Sequence, residues 1–136
     1  MKCIKLFFLF IIVTFFSSYT PFEEPKYKLI VFQGSDWCSN CIRLENNVLS
    51  NKIFIEELDK LNIKIDKIDF PQKKALPKEV IKYNKSIAEK CNFNGIFPTI
   101  YLSKIDSNTY QKILFSNKEN SQDLIKKIKS KIFIFQ

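Results

Sequence analysis

Two cysteines three positions apart, Cys38 and Cys41, stand in the stretch Gly34-Ser35-Asp36-Trp37-Cys38-Ser39-Asn40-Cys41. Their type and spacing admit three chemistries: a thiol–disulfide exchange pair, a static disulfide, or half of a zinc site. The flanking residues supply the context. Leu29-Ile30-Val31-Phe32 is a short apolar run closed by Gly34, the pattern of a strand buried on both faces. After the cysteines, Leu44, Val48 and Leu49, with Ile42 beside them, recur at the helical period. Cys38 therefore falls at or near the first turn of a helix, with Cys41 one turn further in on the same side. First-turn N–H groups lack intrahelical partners, and the helix dipole adds partial positive charge, so a thiolate is stabilised there. A free thiol titrates near about 8.5, and a Cys-x-x-Cys at a helix start commonly lies lower. Cys38 is the candidate attacking sulfur and Cys41 the candidate resolving one. Exchange passes through a mixed disulfide and needs no cofactor, because the pair's own redox-active disulfide carries the electrons. Zinc takes about four ligands, whereas this chain has no histidine and only Cys3 and Cys91 as further sulfur donors.

The elements that must position this pair start after an export segment. Met1 to Lys5 carries two lysines, and Leu6 to Phe16 is apolar apart from Thr14, which is short for a membrane span but suits the core of a signal peptide. Residues 1–20 are read as that signal. Ser17-Ser18-Tyr19-Thr20 offers small residues without a clean small-x-small cleavage site, so an uncleaved anchor through residues 6–16 stays open as the one membrane association. Either way the domain is expected outside the membrane, periplasmic or otherwise extracytoplasmic, where disulfides persist and have to be handled. Loss of Lys2 and Lys5 would take the net charge from +8 to +6. The remaining lysines are dispersed and no groove-reading motif accompanies them, so a solvated basic surface is expected and no nucleic-acid partner.

Residues 21–28 are read as a linker and 29–136 as one domain. The cysteine helix is expected to end within Asn46 to Asn51, residues that favour caps and turns. A second helical stretch carries Ile53, Phe54, Leu58 and Leu61 on one side, and the spacing leaves open whether it is a separate helix or a kinked continuation. Ile63 to Phe70, stopped by Pro71, predicts a strand parallel to the first, because a helix intervenes. A basic loop, Gln72 to Pro77, leads to a helix over 78–92 with Val80, Ile81, Ile87, Ala88 and Cys91 as its apolar stripe. Cys91 is read as a packed thiol, with a third redox cysteine as the alternative. Pro98 heads an apolar, β-branched strand, where a missing N–H is tolerated. Asp106-Ser107-Asn108 turns the chain into an antiparallel partner over 110–115. A last helix, capped by Ser121, runs to Ile132 with Leu124, Ile125, Ile128 and Ile132 inward. The apolar tail Phe133-Ile134-Phe135 receives no assignment.

The order strand, helix, strand, helix, strand, strand, helix, with Trp37-Cys38-x-x-Cys41, Asp69-Phe70-Pro71 and Phe97-Pro98-Thr99 in sequence, resembles the thioredoxin superfamily, and within it the small secreted thioredoxin-like proteins. The resemblance covers about Lys26 to Lys131. It implies an α/β fold of three layers, a four-stranded mixed sheet with helices on both faces, lacking the N-terminal strand and helix of full-length thioredoxins. It implies that Cys38 is the exposed nucleophile, Cys41 the buried resolving cysteine and Trp37 the flanking aromatic. Pro98 would be the cis proline, and the backbone of Phe97 would pair with an extended substrate. Two departures stand out. The buried acid that many thioredoxins carry six positions before the first cysteine is replaced by Phe32, leaving Asp36, or Asp66 or Asp69 on the next strand, as candidate proton carriers, with Asp36 and Asp69 put first. The intervening dipeptide is Ser39-Asn40, which leaves the direction of electron flow open. The expected function is an exported thiol-disulfide oxidoreductase acting on protein or peptide disulfides, as a reductase, and recycled by an unidentified thiol reductant or oxidant. A binding module with a structural disulfide and a metal-binding protein are the alternatives.

Overall fold

The computed structural model describes residues 24–135. The export segment and Cys3 lie outside them. Seven-residue strand β1 (Tyr27–Gln33) begins two residues inside the expected linker, with Lys26 and Tyr27 donating backbone hydrogen bonds to the Asn62 carbonyl. Helix α1 (Ser39–Leu44) passes without a break into a π-helical turn, Glu45–Leu49, closed by the Ser50 N–H on the Glu45 carbonyl. Helix α2 (Lys52–Lys60) is separate: the Asn51 side chain accepts from the N–H groups of Ile53 and Phe54 and so starts a new helix. Then come β2 (Ile63–Asp69), α3 (Lys78–Lys90), β3 (Thr99–Lys104), β4 (Tyr110–Ile113) and α4 (Ser121–Ile134).

The sheet order is β2-β1-β3-β4, with β1 parallel to β2 and antiparallel to β3, and β3 antiparallel to β4. Because side chains alternate along a strand, β1 feeds two cores. Leu29 and Val31 join Leu44, Val48, Leu49, Phe54, Leu58, Leu124 and Ile128 under α1, α2 and α4. Ile30 and Phe32 join Ile68, Ile87, Cys91 and Tyr101 on the side of α3. Helices on both faces of a mixed four-stranded sheet make the three-layer thioredoxin fold, and they explain why Leu29 to Phe32 reads as unbroken apolar sequence.

Three expectations need correction. Ile42 points outward at 42% exposure, and in α3 Val80 and Ile81 are exposed while Asn84 is buried in their place. The reason is tertiary: the Asn84 amide donates to the Asp69 carbonyl at 2.7 Å, tying α3 to the end of β2 and setting its rotation. Asn120, not Ser121, caps α4, exchanging hydrogen bonds with Asp123 in a capping box. That helix runs on through Ile134, so the apolar tail is its last turn. Phe133 and Ile134 are exposed, and Phe135 packs its ring 6.0 Å from Tyr27.

Candidate active site

The site forms where β1 ends and α1 begins. Cys38 has extended backbone and caps α1, its sulfur accepting the Cys41 N–H at 3.2 Å. That first-turn N–H is shared between the Cys38 carbonyl at 3.0 Å and the Cys38 sulfur. Cys38 and Cys41 are joined as a disulfide, with Cα atoms 5.2 Å apart. Cys41 is buried at 2% exposure as expected, but Cys38, expected to be exposed, is buried as well at 7%, its sulfur turned onto the start of α1 and bonded to Cys41.

Gly34 is required by the close approach of Trp37: a Cβ at Gly34 would lie 2.3 Å from the indole ring. The Trp37 indole N–H donates to the Phe70 carbonyl at 2.8 Å, and the ring meets Phe97 edge-on at 5.4 Å. The Phe97–Pro98 peptide bond is cis. Phe97 in turn packs against Phe70 and Phe93, so Trp37, Phe97 and Pro98 are gathered on one aromatic wall. Phe32, at the position where many thioredoxins hold an acid, is fully buried and stacks on Phe93 at 4.1 Å.

Asp36 and Asp69 serve the loops around the pair. The Asp36 carboxylate accepts from the N–H groups of Gln72, Lys73 and Lys74. Desolvation works to raise its pKa, but those three donors hold it below the usual carboxylate range. Asp69 accepts from the Ser35 amide at 2.9 Å and hydroxyl at 2.7 Å and pairs with Lys74 at 3.0 Å. Burial pushes its carboxyl up, and the Ser35 hydrogen bonds and the Lys74 charge outweigh it to leave the pKa lowered. With Trp37 on Phe70, these bonds stitch the cysteine loop to the 70–74 loop. Neither carboxylate lines the cavity that opens beside Cys41.

That cavity, about 300 Å³, is lined by Gln33, Ser35, Cys41, Glu45, Asn46 and Lys67 among others. Glu45 follows Cys41 by one helical turn, and its Oε1 pairs with Lys67 Nζ at 2.8 Å and accepts the Ser50 hydroxyl at 2.9 Å. Sequence reasoning missed both residues; the four-residue step from Cys41 to Glu45 is the one local signal that could have found the first. A larger apolar groove of about 420 Å³ lies on the other side of the Asp69-Phe70 loop, against Leu76 and Ile81. Cys91 is 6% exposed, and burial pushes its thiol up to about 11.

Strand order, the helix-start disulfide and the cis proline together define a thioredoxin-fold protein with a Cys-x-x-Cys site. No protein-family model matches the chain. Over 78 residues it is 28% identical to the disulfide bond reductase DsbH of Chlamydia pneumoniae, a match covering 57% of this chain and 46% of that one. The matched stretch is thus less than half the length of that relative. In three dimensions the chain resembles a DsbH oxidoreductase with a TM-score of 0.67 at 23% identity, covering 78% of this chain and 72% of that one. It also resembles the reduced C-terminal domain of Neisseria meningitidis DsbD, with a TM-score of 0.51 at 14% identity over 79% and 83% of the two chains. Among the described residues no helix is long and apolar enough to cross a membrane.

Proposed function

We propose that this protein is an extracytoplasmic thiol-disulfide oxidoreductase that reduces disulfides of protein or peptide substrates. The observation that carries the reading is the Cys38–Cys41 disulfide at the start of α1, with a backbone N–H aimed at the Cys38 sulfur. In the reduced protein that N–H favours a Cys38 thiolate. The thiolate attacks a substrate disulfide, and Cys41 resolves the mixed disulfide that forms. Trp37 and Phe97 offer apolar surface to the substrate, and the backbone before Pro98 offers it hydrogen bonds. The two electrons come from the Cys38–Cys41 dithiol as it closes to the disulfide, so the reaction needs no further cofactor, and a partner thiol reduces that disulfide again. Likeness to a disulfide bond reductase supports the reductive direction, and residues 1–20 are proposed as the export signal.

Replacement Cys38→Ser abolishes reduction of a protein disulfide, and Cys41→Ser accumulates covalent mixed disulfides visible on non-reducing gels. Equal turnover by wild type and Cys38→Ser overturns the reading. A reduction potential near about −270 mV fits a reductant, and one near about −120 mV an oxidant. A second reading, a binding module stapled by a permanent disulfide, draws on the 7% exposure of Cys38. It predicts a pair that resists mild reductant in the folded protein.

A further inference from the structure

Helix α3 leaves apolar side chains in the open. Its sequence stripe puts Val80 and Ile81 inward, yet the Asn84 amide holds the helix by the Asp69 carbonyl, and Ile81 stays 53% exposed. Ile81 lines the groove of about 420 Å³ together with Phe70, Pro71 and Leu76 of the loop that follows β2. A concave, mostly apolar space of that size with a few charged groups at its rim has the form of a binding site. The charge around it is mainly positive. Between Gln72 and Lys85 stand Lys73, Lys74, Lys78, Lys82 and Lys85 against the single acid Glu79, and Lys74 and Lys85 line the groove itself. Asp69, also in the lining, is already engaged by Ser35 and Lys74.

The groove is joined to the disulfide. Phe70 lines it, and the Phe70 carbonyl accepts the indole N–H of Trp37, the residue before Cys38. Asp36 fixes the loop wall by accepting the N–H groups of Gln72, Lys73 and Lys74. The wall is therefore set before anything binds, which spares an ordering cost. Cys38 and the groove are separated by the width of Trp37 and Phe70, a gap that an extended chain at about 3.3 Å per residue crosses in roughly three to five residues.

We propose that this groove is a substrate subsite for an apolar side chain flanked by carboxylates, a few residues from the cysteine of a protein or peptide disulfide; this rests on the exchange reaction proposed above and names its substrate class. The apolar side chain packs on Ile81, Leu76 and Phe70, and the flanking carboxylates meet Lys85 and the other lysines of the rim. Trp37 and Phe97 receive the residues next to the disulfide, while the groove sorts substrates by sequence further out.

The test is single-turnover: reduced protein in excess over fluorescence-quenched peptide disulfides, with the rate of reduction read from the fluorescence released. The probe peptide carries a leucine flanked by glutamates about four residues from its cysteine, before it in one version and after it in another. Wild type should reduce one version about tenfold or more faster than the same peptide with serine for leucine, and faster than the one with lysines for glutamates. Ile81→Glu, a change at the surface, should erase the leucine advantage. Lys85→Glu should narrow the preference for glutamate over lysine. Both variants should reduce oxidised glutathione, which has no apolar side chain, within about twofold of the wild-type rate. Equal rates for the leucine and serine peptides in wild type, or a leucine advantage that survives Ile81→Glu, overturns the subsite. An Ile81→Glu protein slowed as much on glutathione as on the peptide overturns it as well. A wild-type protein that sediments as a dimer and becomes monomeric with Ile81→Glu gives the groove to a second copy of the chain, and the substrate assignment falls. Failure of reduced wild type to reduce any of these disulfides, glutathione included, overturns the exchange reading itself.

Discussion

The two faces of β1 part company where the strand reaches the disulfide. On the side of α3, Phe32 stacks with Phe93 and meets Tyr101 edge-on, and Phe70 and Phe97 extend the same rings out to Trp37. Nothing in that wall accepts a proton with ease, and the thiol within it, Cys91, is pushed well above its ordinary pKa by burial. On the side of α1, Gln33, Glu45 and Lys67 surround an open space beside Cys41. The two faces thus differ in chemistry within a few residues of one strand end. The aromatic face is closed by ring packing, and the polar face holds the Glu45–Lys67 ion pair beside the disulfide.

The largest expected effect comes from emptying the aromatic face. Phe32 is fully buried, so Phe32→Ala should lower unfolding stability by about 3–5 kcal/mol through lost burial and the cavity left behind. Urea denaturation measures this. The Cys38–Cys41 disulfide should still form, because its elements pack on the other face of β1. A cost under about 1 kcal/mol would show that the rings are not closely packed and would break the contrast.

A smaller effect is expected at Asp69, where the stitched loops join the two faces. Its carboxylate holds Ser35 and Lys74, and its folded-state pKa is depressed. A depressed pKa contributes stability that is present above the unfolded value, about 3.9 for aspartate, and is lost as pH falls through the folded value. Asp69→Asn should therefore cost about 1–2 kcal/mol at neutral pH, and the gap from wild type should shrink at strongly acid pH. A gap independent of pH would mean that the Ser35 and Lys74 contacts are not held by the charge. The same substitution leaves the aromatic rings untouched, so it separates loop stitching from ring packing.

Much of this contrast is legible in the sequence. Leu29 to Phe32 announces a strand with two buried faces, and the spacing of Cys38 and Cys41 against Leu44 and Val48 places them at a helix start. Phe32 in an acid's position is visible as a departure. The wet face is less legible. Glu45, in a lysine-rich chain, reads as one more solvated charge, and its partner Lys67 lies 22 residues away across a helix and a strand register that only folding sets. The misread stripe of α3 has the same origin: periodicity puts Val80 and Ile81 inward, but the Asn84 hydrogen bond to the end of β2 turns the helix. Local pattern carries burial, whereas polar contacts between distant segments decide which residue of a helix faces the sheet.

The smallest effect concerns the cysteine on the dry face. Cys91 closes α3 against Phe32 and Tyr101 and takes no part in the disulfide. If the two faces differ in chemistry, this thiol belongs to packing. Cys91→Ala should cost about 1 kcal/mol in stability and leave the exchange rate with oxidised glutathione unchanged. The unmodified protein gives the complementary measurement. With the Cys38–Cys41 pair oxidised, iodoacetamide at about pH 8 should leave Cys91 unlabelled in the folded state, because the thiolate fraction is small and the sulfur is covered. Unfolding in guanidinium should expose it to label, and peptide mass spectrometry locates the modification. Rapid labelling of Cys91 in the folded protein, or slower exchange in Cys91→Ala, would mean that sulfur chemistry reaches both faces of β1 and that the division between them fails.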